Sequence, residues 1–178
     1  MRTISINFAV LAFTVFSILV VSCKDGSNTS SKTYDNPFEY CKAIGTVDTP
    51  GAEYSGAKVP KSILDDLRGK IGVSDSMPME LFEAGTSWRC MDGKVYACNV
   101  GNNLPCQEKA DISKDPNDGM RKYCKENANA PFIPAFAAGR TTVYEWRCDS
   151  TNPVPGKQII DADPVGYQSN IWYEITQK

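Results

Sequence analysis

The chain has 178 residues, a formal net charge of −2 and no histidine. The missing imidazole excludes a Ser-His-Asp triad, a Cys-His pair and every histidine-based metal site within this chain. The slightly acidic balance gives no reason to expect a nucleic-acid partner.

The first element is a near-unbroken apolar run from Phe8 to Val21, interrupted only by Thr14 and Ser17. Arg2 precedes it, and no acid appears before Asp25. A positive end followed by an apolar stretch is the pattern of a secretory signal peptide. The run is shorter than the ~20 residues that span a bilayer as a helix. At its end, Val20-Val21-Ser22-Cys23 resembles the lipobox of bacterial lipoproteins. That resemblance implies cleavage before Cys23, diacylglycerol on its sulfur and acylation of the new amino terminus. The expected location is therefore the cell envelope, with the chain held to a membrane by the lipid on Cys23. Lys24 stands where an inner-membrane retention signal would carry Asp, so in an organism with two membranes the resemblance implies the outer one.

Removing residues 1–22 leaves 156, one domain's worth. The seven cysteines are an odd number, which asks for an explanation in an exported protein. A thioether at Cys23 supplies it and leaves Cys41, Cys90, Cys98, Cys106, Cys124 and Cys148. Six cysteines in an oxidising compartment suggest three disulfides. None of the six lies in a C-x-x-C pair, so zinc and iron–sulfur readings are poor, and neither metal nor cofactor is expected.

Residues 23–36 comprise Cys23 and KDGSNTSSKTYDN, which has no aliphatic side chain and reads as a flexible tether. The domain is expected over 37–178. Asn36-Pro37-Phe38-Glu39 has the order of an N-cap, an N1 proline and an N3 acid, predicting a helix to Ile44 with Gly45 ending it. A second helix is predicted over Pro60 to Arg68, with Ile63, Leu64 and Leu67 on one face. Met77 to Thr86 is ambiguous. Asp92-Gly93 between Ser87–Met91 and Lys94–Cys98 predicts a hairpin, because both turn positions need positive φ. A tight loop from Cys98 to Cys106 follows. Asp115-Pro116-Asn117-Asp118 reads as the cap of a third helix through Met120, Tyr123 and Cys124. Strands are expected at 132–138, 141–148, 157–160 and 170–176.

Two segments echo each other. Tyr40-Cys41-Lys42 recurs as Tyr123-Cys124-Lys125, and Trp88-Arg89-Cys90 recurs as Trp146-Arg147-Cys148. Each copy is a helix cysteine followed by a strand cysteine, although the separations differ, as in a diverged duplication. A bridge within each copy would clip the helix to its sheet. The echo favours Cys41–Cys90 and Cys124–Cys148, leaving Cys98–Cys106, one of ~15 ways to pair six cysteines. The expected fold is α+β: a small, mainly antiparallel sheet, two or three short helices and three disulfides.

Strand alternation puts Trp88 and Trp146 on the same face as their cysteines and turns Arg89 and Arg147 to the other. That suggests a pair of arginines on one exposed sheet surface, suited to a carboxylate or phosphate. The competing reading pairs Arg147 with Glu145 as a solvated contact. Asp149, Asp161, Asp163 and Glu145 are the carboxylates that a histidine-free glycoside hydrolase would need, but Asp161-Ala162-Asp163-Pro164 reads more simply as a turn. Asp115, Asn117 and Asp118 suggest a calcium loop only superficially, since EF-hand spacing is absent. Tyr96, Tyr144, Tyr167, Trp172 and Tyr173 give the C-terminal part an aromatic excess able to stack on sugars or anchor a protein. Trp172 and Tyr173 would face opposite ways on a strand.

The segments WRCMDGKVYAC, LPCQEKAD and YEWRC resemble a cysteine-rich module of uncharacterised exported bacterial proteins. The resemblance carries no activity and no site. The functional expectation is a non-catalytic envelope binding module, with Arg89, Arg147, Trp172 and Tyr173 as binding candidates and cell-wall glycan or an envelope protein as partner. The alternatives are a histidine-free hydrolase of envelope polysaccharide, or a lysozyme or protease inhibitor presenting the loop Asn99–Pro105.

Overall fold

The structure, a computed structural model, describes residues 32–74 and 76–177. The expected signal segment, Cys23 and residues 24–31 of the expected tether lie outside the described residues. No helix among the described residues is long and apolar enough to cross a membrane. The architecture is α+β, with five α-helices and two small antiparallel sheets among the described residues.

Helix α1 (Pro37–Ile44) starts where Asn36 accepts hydrogen bonds from the Phe38 and Glu39 amides, and Gly45 closes it. Helix α2 (Lys61–Ile71) buries Ile63, Leu64 and Leu67 on one stripe. Helix α3 (Met79–Ala84) settles the ambiguous stretch and inserts Phe82 into the core. Strands β1 (Thr86–Met91) and β2 (Lys94–Asn99) form the expected hairpin. Its turn residues Asp92 and Gly93 have φ of 52° and 76°, the left-handed region that favours this pair. The third strand of this sheet, β5 (Tyr173–Ile175), pairs with β2 on the side away from β1.

Both faces of this sheet are covered. Trp88 and Cys90 of β1, Val95 of β2 and Ile175 of β5 pack toward α1, α2 and α3. On the opposite face, Cys98, Cys106, Tyr167, Ile171 and Trp172 form a second cluster with Tyr96 against it. The disulfide Cys41–Cys90 ties α1 to β1 (Cα–Cα 5.1 Å), and Cys98–Cys106 closes the loop after β2 (5.7 Å).

The second copy of the echo is built the same way. Helix α4 (Asp118–Glu126) is clipped by Cys124–Cys148 (Cα–Cα 5.4 Å) to β3 (Tyr144–Asp149), which pairs with β4 (Asn152–Gln158). Met120, Ile133 and Trp146 fill the space between them. Short helix α5 (Ala135–Ala138) lies close against α4, where Gly119 leaves no room for a side chain: a Cβ there would sit 2.6 Å from the Ala137 carbonyl oxygen. Among the described residues, all three disulfides and all three buried clusters fall between Tyr40 and Ile175, so residues 32–178 carry their own core.

Several local expectations change. The tether enters the fold before Asn36: the Tyr34 amide donates to Glu53 O and its carbonyl accepts from Ser55 N, both at 2.8 Å. Helix α4 is capped by Asn117, whose side chain accepts from the Met120 amide, so Asp115-Pro116 stays outside it. The expected strand 132–138 becomes extended chain and then α5, because Pro134 fits the start of a helix and cannot donate to a ladder. Strand β4 runs through Pro153 and Pro155 earlier than the expected 157–160, which an edge position tolerates. Residues 169–171 form a 3₁₀ turn ahead of β5.

Candidate functional site

The structure separates the two arginines expected to share one surface. Arg147 is exposed on β3 of the two-stranded sheet. Arg89 lies on β1 of the other sheet and is fully buried. Alternation gave its direction correctly, away from the Trp88–Cys90 face. The error lay in taking that face as open, when residues 161–172 fold across it.

There Arg89 forms an ion pair with Asp163, whose side chain is also buried. The guanidinium carbon lies 4.4 Å from the Tyr167 ring centre, 4.3 Å from that of Trp172 and 5.9 Å from that of Tyr96. Among the described residues Nε and Nη1 find no hydrogen-bond partner, and the charge faces one carboxylate and the ring faces. Asp163 is held in turn, since its other oxygen accepts from the Val165 and Tyr167 amides at 3.0 Å each. The turn runs over Asp163 to Gly166, later than the expected Asp161–Pro164, while Ala162 bridges to Gln168; its first residue, Asp163, is the counter-ion of the buried arginine. Asp161 is exposed and accepts from Gln158 Nε2. Arg147 does not show the expected contact with Glu145, which instead lies 3.5 Å from Lys157 Nζ.

The rings fixed by Arg89 form one wall of a cavity of about 620 Å³. Tyr167 and Trp172 line it from the C-terminal segment, and Trp88 and Tyr54 from the opposite side. Tyr54 packs edge-on to Trp88 at 4.9 Å, and Tyr167 to Trp172 at 5.4 Å. Lys109 bridges the rim: its Nζ lies 2.6 Å from Asp48, 2.8 Å from Val165 O and 3.7 Å from the Tyr167 ring centre. Trp88 donates its indole N–H to Lys58 O at 2.7 Å.

Two buried polar atoms of these residues, Trp172 Nε1 and Tyr54 Oη, have no hydrogen-bond partner among the described residues. Trp172 as a whole is only 7% exposed. Burial, and after it the Asp35 carboxylate, raise the Tyr54 phenol above its ordinary 10.0, so it stays a neutral donor at any physiological pH. A pocket of this size, with several aromatic residues and a few polar ones in its lining, is the usual form of a small-ligand site.

Of the four binding candidates Arg89, Arg147, Trp172 and Tyr173, only Trp172 lines this cavity, and Tyr167 joins it from the wider aromatic excess. Tyr173 is half-buried and packs toward the α1–α2 side, so the two do face opposite ways. Arg147 lines a separate groove around β3. The loop Asn99–Pro105 is tied down by Asn99, which donates to Phe82 O at 2.8 Å and Thr86 Oγ1 at 2.9 Å. Tyr54 and Asp48 were missed because they come from the turn-rich stretch 46–58, which has no periodicity to interpret. The C-terminal aromatic excess was the one usable signal. Each concavity is lined by a single carboxylate, Asp48 in the cavity and Glu145 in the groove. No protein family, curated protein or solved structure matches the chain.

Proposed function

We propose that this protein is a lipid-anchored component of the bacterial cell envelope, and that its domain binds cell-wall glycan non-catalytically in the aromatic cavity. The anchor reading rests on the lipobox resemblance at Val20–Cys23 and on the odd cysteine that three disulfides leave over. The glycan reading is carried by one observation: a cavity whose lining brings together the aromatic residues Tyr54, Trp88, Tyr167 and Trp172. Sugar rings offer apolar C–H faces for the aromatic planes. The Tyr167 and Trp172 rings are held by Arg89 before any ligand arrives, which lowers the ordering cost of binding.

The test is calorimetric titration of the domain with soluble peptidoglycan glycan fragments. Tyr54→Leu and Tyr167→Leu each remove one aromatic ring from the lining and keep apolar bulk. Each should weaken binding by about tenfold, the loss of one aromatic contact. Unchanged affinity in both variants would overturn the assignment of the cavity. Turnover of the fragments by the purified domain would replace binding with the hydrolase alternative. Inhibition of lysozyme or of a protease without glycan binding would favour the inhibitor reading.

A further inference from the structure

The groove that holds Arg147 shares no lining residue with the aromatic cavity. It encloses about 630 Å³ between β3, the chain 131–140 and the 159–171 segment, and Leu104, Ile133, Ile160 and Ile171 contribute to its walls. Phe132 and Ile159 also line it while remaining 63% and 53% exposed. Such side chains leave apolar surface of the groove open to solvent.

Its polar groups fall into two sets. Thr142 Oγ1 accepts from Trp146 Nε1 at 3.0 Å, Gln168 donates to Arg140 O at 2.9 Å, and Glu145 faces Lys157. These are committed. Arg140 and Arg147 are exposed, line the same groove, and make no ion pair among the described residues. Two guanidiniums thus outnumber the one carboxylate of the lining, Glu145, beside an apolar trough, which is complementary to an anionic amphiphile.

The backbone decides between the two ligands of that kind. A peptide laid along β3 would need its free edge, but that edge is occupied: Ile133 N donates to Trp146 O at 2.7 Å, and Cys148 N donates to Ala130 O at 2.9 Å. Strand addition is blocked. A chain with no backbone amides needs no such edge. We infer that this groove binds an acyl carboxylate, its hydrocarbon chain along Phe132, Ile133 and Ile159 and its carboxylate between Arg140 and Arg147.

The experiment uses residues 32–178 with all three disulfides verified. Sodium decanoate, kept below its micelle concentration, is titrated while amide chemical shifts are followed by NMR, with decanol as the neutral control. Decanoate should shift the amides of 131–147 saturably, and decanol should bind at least about tenfold more weakly, as loss of a charge-assisted contact requires. Arg140→Gln with Arg147→Gln, both at exposed positions, should remove that preference and leave decanol binding unchanged. Ile159→Ser should weaken both ligands. Equal affinity for decanoate and decanol, an unaltered preference in the arginine variant, or shifts centred on Trp172 would overturn the inference. So would a peptide with an apolar C-terminal residue that occupies the groove where decanoate does not.

Discussion

Arg89 and Asp163 stand 74 residues apart in sequence and meet as an ion pair that solvent does not reach. The pair fastens the 161–172 segment to the back of β1, and the guanidinium packs against the Tyr167 and Trp172 rings that wall the cavity. Cavity shape and domain stability are thus linked through one salt bridge.

Asp163→Ala should therefore be strongly destabilising, because it leaves a buried charge without its counter-ion and the Val165 and Tyr167 amides without an acceptor. Breaking one side of a buried pair costs about 3–5 kcal/mol. Arg89→Met in the same chain should recover part of that loss, since the charge is then gone as well. Equilibrium denaturation of the single and double variants measures both. A loss below about 1 kcal/mol for Asp163→Ala, the range of a solvated surface pair, would show that water reaches the pair.

The three disulfides should rank by the loop each closes, with separations of 49, 24 and 8 residues. Chain-entropy arithmetic gives about 4, 3.5 and 2.6 kcal/mol for Cys41–Cys90, Cys124–Cys148 and Cys98–Cys106. Serine pairs at each position, compared by urea midpoint, test the order. If the shortest bridge proves the most costly to remove, native-state packing rather than loop closure sets its value.

Stability should fall at both ends of the pH scale through the solvated contact among Lys94, Tyr96 and Glu174. The Lys94 hydrogen bond holds the Glu174 carboxyl below its ordinary 4.5, so its contribution is complete above 4.5 and is lost as pH falls further. Burial, and after it the Glu174 charge, raise the Tyr96 phenol above 10.0. That contribution is complete below 10.0 and is lost as pH rises beyond it. Both effects are small at an exposed site. Glu174→Gln should flatten the acid limb and let one phenol titrate earlier, read by phenolate absorbance. An unchanged titration curve would mean that the carboxylate does not reach Tyr96 in solution.

The amino-terminal edge gives a sharper test than its composition suggested. Tyr34 bridges to Glu53 and Ser55, so the amides of Tyr34 and Ser55 should exchange slowly with deuterium. A chain beginning at Pro37 should be less stable than one beginning at Lys32 by at least the ~1 kcal/mol of the Asn36 cap. Equal stability of the two would place the true start of the domain after Asn36.

Cys23→Ala should abolish incorporation of labelled fatty acid and leave uncleaved precursor. Equal labelling of variant and parent would remove the lipid anchor from the proposed function.

The sequence by itself determined what depends on neighbours along the chain. Asn36-Pro37 set the start of α1, Asp92-Gly93 set the first hairpin, and the repeated Tyr-Cys-Lys and Trp-Arg-Cys segments determined which cysteines pair, because these are turn, cap and spacing effects within a few residues or within one motif. Alternation also gave the side of β1 from which Arg89 projects. Only the tertiary structure decided what lies on that side. Arg89 and Arg147 sit in identical Trp-Arg-Cys contexts, yet one is buried against Asp163, Tyr167 and Trp172 and the other opens onto a groove. The difference is made by residues 161–172, which cover one sheet face and not the other. Local pattern fixes the direction of a side chain, whereas its burial depends on which distant segment packs across it.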